Sequence, residues 1–186
     1  MSGLEARRLD IPDVIVVTPP RFGDARGYFS ETYSKPKFAE LGIACEFVQD
    51  NQSRSAAPGT LRGLHFQHGS AAQAKLVRCL RGSIYDVAVD IRRSSPTYGK
   101  WVAAEISEEN GAQIFVPRGF AHAFLTLEPG TEVAYKVDNL YDAKLEAGIR
   151  WDDPDLAIDW PLPTPEPILS EKDAINPPFA RIPAYF

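Results

Sequence analysis

The chain has only three histidines, the one side chain whose ordinary pKa lies near neutrality, and they occupy different settings. His65 lies in Leu61-Arg62-Gly63-Leu64-His65-Phe66-Gln67, which reads as a strand. His122 follows the Pro117-Arg118-Gly119 turn and opens another apolar run through Phe124. His68 precedes Gly69-Ser70 and reads as a loop residue. Taken singly, each histidine suits a structural role. Two of them on separate strands, both flanked by apolar residues, point to a shared interior site.

Such a site can bind a metal or move protons. A His-x-His pair is a common metal grip, but here Gln67 stands where the second imidazole is needed, and an amide is a poor ligand. Two histidines with one carboxylate leave iron, and an oxygenase, as the competing chemistry. Proton transfer needs a base near neutral pKa, an acid on the opposite face of the substrate, and a group to hold developing negative charge. His65 can be the base. Tyr135 can be the acid, because a phenol is protonated at working pH. Lys75 and Arg62 can hold an enolate or a phosphate. With Arg26 and Arg54 near expected turns, they can also form an anion pocket in a chain of net charge −5.

Strands must position these groups. Over Ile84–Ile91, Tyr85, Val87, Val89 and Ile91 fall on one face and Ile84, Asp86, Ala88 and Asp90 on the other, a period of two. Lys75–Leu80, Trp101–Ile106, Gln113–Val116, His122–Leu127 and Glu132–Val137 are similar short runs separated by Gly and Pro turns. That rhythm predicts an all-β sandwich or barrel. Ser34 is positioned to cap a helix to about Leu41, with Pro36 in its first turn and Gly42 beyond its end. A second helix is expected near Asp142–Ala147. From Pro154 on, proline is too dense for a central strand or long helix, while Trp151, Leu156, Ile158, Trp160 and Ile168 offer apolar anchors. An ordered arm over the barrel follows.

The bulk numbers narrow the class. At 186 residues a single domain is expected, residues 1–186, with its core at about 45–140. The acidic balance, pI about 5.2, argues against nucleic-acid binding. No apolar run approaches the ~18 residues of a membrane span. Met1–Asp10 is too charged for a secretory signal, so a cytoplasmic protein with Cys45 and Cys79 as free thiols is expected.

Eight motifs, in order, carry a resemblance. Asp24-Ala25-Arg26-Gly27-Tyr28-Phe29-Ser30-Glu31, Gln49-Asp50-Asn51 and Leu61 to Gln67 are similar to segments of the dTDP-4-dehydrorhamnose 3,5-epimerase family. So are Ala72-Gln73-Ala74-Lys75, Asp90 to Thr97, Pro117 to His122, Trp151-Asp152-Asp153-Pro154 and Leu169-Ser170-Glu171-Lys172-Asp173. The resemblance implies a cupin-like jelly roll, usually a homodimer, working without metal or organic cofactor. It implies a dTDP-linked 4-keto-6-deoxy sugar as substrate, dTDP-4-dehydro-6-deoxy-glucose, inverted at carbons 3 and 5; a relative inverting only one carbon is the near alternative. By motif, His65 is then the base, Tyr135 the acid, Asp173 the carboxylate paired with His65, and Lys75 the enolate's partner. Arg26, Glu31, Gln49, Asn51 and Arg62 match nucleotide-sugar contacts, and His122 a second histidine on the substrate. Tyr141 matches a ring that stacks on thymine, with Glu146 and Lys172 nearby. Two departures are His68-Gly69-Ser70-Ala71, where the family often has prolines, and Ala123, where it commonly has glycine. A non-catalytic sugar-binding module is the reading that His65, Tyr135 and Asp173 oppose.

One tension is geometric. Arg62 and His65 are three apart, so a regular strand points them to opposite faces. A bulge at Gly63, or an Arg62 serving a partner's ligand, resolves it.

Overall fold

The computed structural model describes residues 3–186, so the first two residues of the expected domain, and of the charged N-terminal stretch, lie outside it. In chain order the strands are β1 (Glu5–Arg8), β2 (Ile15–Thr18), β3 (Phe22–Asp24), β4 (Gly27–Phe29), β5 (Gln49–Ser55) and β6 (Leu61–Gln67). They continue with β7 (Lys75–Arg81), β8 (Ser83–Asp90), β9 (Trp101–Ser107), β10 (Gln113–Val116), β11 (Phe120–Thr126), β12 (Thr131–Val137) and β13 (Glu146–Gly148). A six-stranded sheet runs β1-β2-β10-β7-β12-β5, and a five-stranded sheet runs β13-β6-β11-β8-β9. The β3–β4 hairpin stands apart from both.

Alternation along the strands builds three apolar layers. Val77, Ile84, Ala88, Ile114, Phe124 and Val133 fill the space between the sheets. The opposite pleat of β7, through Leu76, packs with Phe38 and Ile43 outside the six-stranded sheet. The opposite pleat of β8, Val87 and Val89, faces Leu156, Phe179 and Ile182. Burial on both faces explains why these strands read as nearly continuous apolar runs.

Helix α1 (Lys35–Glu40) forms where Ser34, Pro36 and Gly42 place it, although the Ser34 side chain makes no capping bond. The expected helix at Asp142–Ala147 is absent. Asp142 Oδ1 instead accepts the Lys144 N–H in a turn (2.9 Å), and Glu146, Ala147 and Gly148 pair with Gln67, Phe66 and His65. Edge pairing in the sheet overrides local preference there. The second helix is α2 (Glu171–Ala174), capped by Ser170, whose Oγ accepts the Asp173 N–H at 3.1 Å.

The C-terminal segment crosses the outer face of the five-stranded sheet, with Ile158 and Trp160 among its apolar contacts. Ile168 is not a buried anchor, being 49% exposed. Its backbone holds it instead, through its N–H to the Gly59 carbonyl (2.7 Å) and its carbonyl to the Leu61 N–H (3.0 Å).

Strand β6 is bulged. His65 lies opposite His122 and Arg62 opposite Phe124, so three steps on β6 match two on β11. Gly63 has φ +125, and a Cβ there would lie 2.5 Å from the Ala123 Cβ and 2.6 Å from the His122 carbonyl oxygen. Only glycine fits. The extra residue lets Arg62 and His65 face the same interior.

Candidate active site

Two adjoining cavities open between the sheets. One, of about 260 Å³, is lined by Arg62, His65, Lys75, His122, Tyr135 and Asp173, among others. The second, of about 230 Å³, shares His65, Lys75 and Tyr135 and adds Gln49, Asn51, Tyr141 and Glu146. A larger hollow of about 340 Å³ on the outer face of the six-stranded sheet touches Asn51 and Tyr135 but includes none of His65, Lys75 or Asp173.

His65 sits on β6, and its Nε2 meets Asp173 Oδ1 at 2.5 Å, across 108 residues of chain. Asp173 is buried, which pushes its carboxyl up, but the hydrogen bond and charge of His65, the Ser170 hydroxyl and the Gly63 amide outweigh burial. Its pKa falls below the usual carboxylate value, and it stays ionised. An ionised carboxylate accepts, so Nε2 carries the hydrogen and Nδ1 keeps the lone pair that can take a proton.

A second pair lies deeper. His122 Nε2 is 2.9 Å from both carboxylate oxygens of Asp86, and both side chains are buried. Burial pushes the imidazole pKa of His122 down, against the pull of Asp86, and Lys75 and His65 lower it further. Asp86 is a site residue that motif reasoning missed. The signal for it was an acid sharing the apolar face of Ile84 and Ala88.

Lys75, at the start of β7, is lowered to about 8 by burial, against the opposing charges of Asp86 and Glu146. It remains mostly protonated at neutral pH. Burial pushes the Tyr135 phenol up, with Arg62 pulling it down and Glu146 pushing it further, so it keeps its proton. Tyr135 comes from β12 in one sheet and His65 from β6 in the other. Both side chains line the same two cavities.

Toward the second cavity's mouth, the Tyr141 hydroxyl donates to Glu146 Oε2 (2.7 Å), which also receives Lys172 Nζ (2.5 Å). Burial raises the Glu146 carboxyl, but its bonds from Lys172 and Tyr141 bring the net below the ordinary value. Gln49 Nε2 donates to Asn51 Oδ1 at 2.9 Å, and Arg62 Nε to Ser55 Oγ at 3.3 Å. Arg26 and Glu31 are not brought here by their own chain. Arg26 is 89% exposed and paired with Asp24 inside the hairpin, and Glu31 is bound to Lys37. The reason is topological: the hairpin joins neither large sheet, and none of its strand residues is buried. Among the described residues, no three His, Cys, Asp or Glu side chains converge to hold one metal ion.

Residues 8–181 match the model of the dTDP-4-dehydrorhamnose 3,5-epimerase family. The chain belongs to this family. A dTDP-4-dehydrorhamnose 3,5-epimerase of Sinorhizobium fredii is 52% identical to it, over 96% of this chain and 91% of the relative. A crystal structure of dTDP-6-deoxy-D-glucose-3,5-epimerase from Legionella pneumophila, in complex with dTDP-4-keto-L-rhamnose, superposes with TM-score 0.93 at 43% identity, covering 97% of this chain and 95% of that one. The Bacillus anthracis dTDP-4-dehydrorhamnose 3,5-epimerase, solved with TDP and pyrophosphate, gives TM-score 0.90 at 47% identity, over 94% of this chain and 99% of that one. The epimerase family's cupin-like β architecture is therefore the fold of this chain.

Proposed function

We propose that this single-domain chain, residues 1–186, is a dTDP-4-dehydro-6-deoxy-glucose 3,5-epimerase, forming dTDP-4-dehydro-rhamnose. The observation that carries the reading is the His65–Asp173 pair facing Tyr135 across a cavity that also holds Lys75. The substrate's C4 ketone acidifies the C–H bonds on carbons 3 and 5. His65 Nδ1 removes one such proton, and the electron pair moves into an enolate whose oxygen Lys75 stabilises. Tyr135 returns a proton from the other face, inverting the carbon. His65 then gives its proton to solvent and Tyr135 takes one up, and repeating the cycle at the second carbon completes the product. Arg62, Gln49, Asn51 and His122 supply polar contacts to the nucleotide sugar, and Tyr141 a ring face for the base.

The test is solvent deuterium exchange on the 4-keto nucleotide sugar. Label at both carbons 3 and 5 is expected. Label at one alone overturns double epimerisation.

A homodimer in the cytoplasm completes the proposal. Phe22, Tyr28 and Phe29 are 63%, 61% and 70% exposed on an isolated hairpin, which a second copy would cover. Arg26 and Glu31, remote from the site of their own chain, then reach the site of that second copy. Sedimentation at twice the chain mass is the expected result. The two unpaired cysteines suit a reducing compartment, and no helix among the described residues is long and apolar enough to cross a membrane.

A further inference from the structure

Gln67 is a buried polar side chain with no task in the chemistry above. It ends β6, two residues beyond His65, and is only 5% exposed, yet it lines the second cavity beside Gln49, Asn51, Tyr141 and Glu146. Its Oε1 accepts the backbone N–H of Asp142 at 3.0 Å. That bond fixes which way the amide points, because only the oxygen can face a donor. The NH₂ end is thereby turned the other way. Its Nε2 is buried and meets no acceptor. Buried donors are nearly always paired, so an unpaired one in a cavity wall marks the place of a ligand acceptor.

The neighbouring residue in space narrows the acceptor. Tyr141 is 54% exposed at the same cavity, with its hydroxyl held by Glu146 and its N–H by Gln49 Oε1 (3.4 Å). Because Gln67 holds the Asp142 N–H, it also fixes the loop that carries this ring. A fixed aromatic face beside a fixed amide donor suits a flat heteroaromatic ring that carries a carbonyl oxygen. The guanidinium of Arg62, better suited to a phosphate, lines the other cavity.

We propose that Gln67 Nε2 donates a hydrogen bond to a ring carbonyl oxygen of the substrate's pyrimidine base, making Gln67 a specificity-determining residue for the nucleotide. The proposal rests on the nucleotide-sugar reading. Gln67→Glu separates its two bonds, because it keeps an oxygen for the Asp142 N–H and replaces the donor with an acceptor. Calorimetric titration uses dTDP and, separately, inorganic pyrophosphate, alongside steady-state kinetics. The expected result is a dTDP affinity lower by about tenfold or more, unchanged pyrophosphate affinity, and a loss in kcat/KM that falls on KM. Should Gln67→Glu fail to fold, Gln67→Met removes the donor and the Asp142 anchor together without adding a charge, and a lower dTDP affinity with unchanged pyrophosphate affinity is again expected. Undiminished dTDP binding by the variant, or equal loss for pyrophosphate, overturns the assignment of Gln67 alone. A wild-type protein that does not bind dTDP overturns the nucleotide reading and this inference with it.

Discussion

Lys75→Met is expected to strengthen the fold while crippling the catalyst, because burial opposes the very charge that the reaction uses. The fall from 10.5 to about 8 corresponds to about 3 kcal/mol at ~1.36 kcal/mol per pH unit, an upper figure since the ammonium keeps some access to water. The sign follows from proton counting. Below pH about 8 the folded and unfolded chains both hold the proton, and the folded one bears the full penalty of a buried charge. Between about 8 and 10.5 the unfolded chain binds more protons, so wild-type stability rises with pH. The variant has no such group. Its advantage in urea unfolding should therefore be largest below pH 8 and shrink toward pH 10.5. Proton exchange at carbons 3 and 5 should meanwhile drop by about 10²–10³, the loss typical of removing one preorganised stabiliser of a developing oxyanion. A variant less stable than wild type at pH 7, or a stability gap that does not change with pH, would refute the reasoning.

Asp173→Asn should lower turnover by on the order of a thousandfold with little change in melting temperature, since an amide has neither the charge nor the acceptor-only character that fixes the His65 tautomer, while the Ser170 cap on the backbone is kept; kcat and calorimetry check this. Asp90 is fully buried, which raises its carboxyl, but hydrogen bonds from Arg92, Ser95 and Thr97 take it to about 2. Its contribution, about 2 kcal/mol, is present above pH ~4 and lost as pH falls toward 2, so Asp90→Asn should be less stable at pH 7 and the difference should close on acidification. Gly63→Ala should destabilise by several kcal/mol in urea melts, and adding Ala123→Gly should not restore it, because the His122 carbonyl still lies 2.6 Å from the new methyl.

What could be read from the chain followed from how local the signal was. The alternation over Ile84–Ile91 predicted β8 and its two faces, since both layers it meets are apolar. Helix α1 was legible from Ser34, Pro36 and Gly42. Residues 142–147 read as a helix in isolation, and only the open edge of β6 makes 146–148 a strand. Helix α2 is one turn long, too short for any period to show, although Ser170 was a cap in plain view. At the site, His65 and Tyr135 stood out by type and strand. The carboxylate of Asp173 was reachable only through the family motif, because nothing in spacing links residues 108 apart. Asp86 reads in sequence as one charge in an alternating strand, and Gln67 only as a poor metal ligand. Arg26 carries its motif on a hairpin that joins neither large sheet, and Glu31 follows just after it, a placement that no local pattern reveals.

The seam between the arm and the five-stranded sheet also makes the protein spectroscopically self-reporting. All three tryptophans belong to it: the Trp101 indole N–H donates to the Leu156 carbonyl (3.0 Å), and that of Trp160 to the carbonyl of Trp151 (3.0 Å). The same arm delivers Asp173 to His65. Intrinsic fluorescence during refolding is thus a record of the arm docking, and its recovery should run in step with the return of catalytic competence while backbone circular dichroism, dominated by the sheets, is already complete.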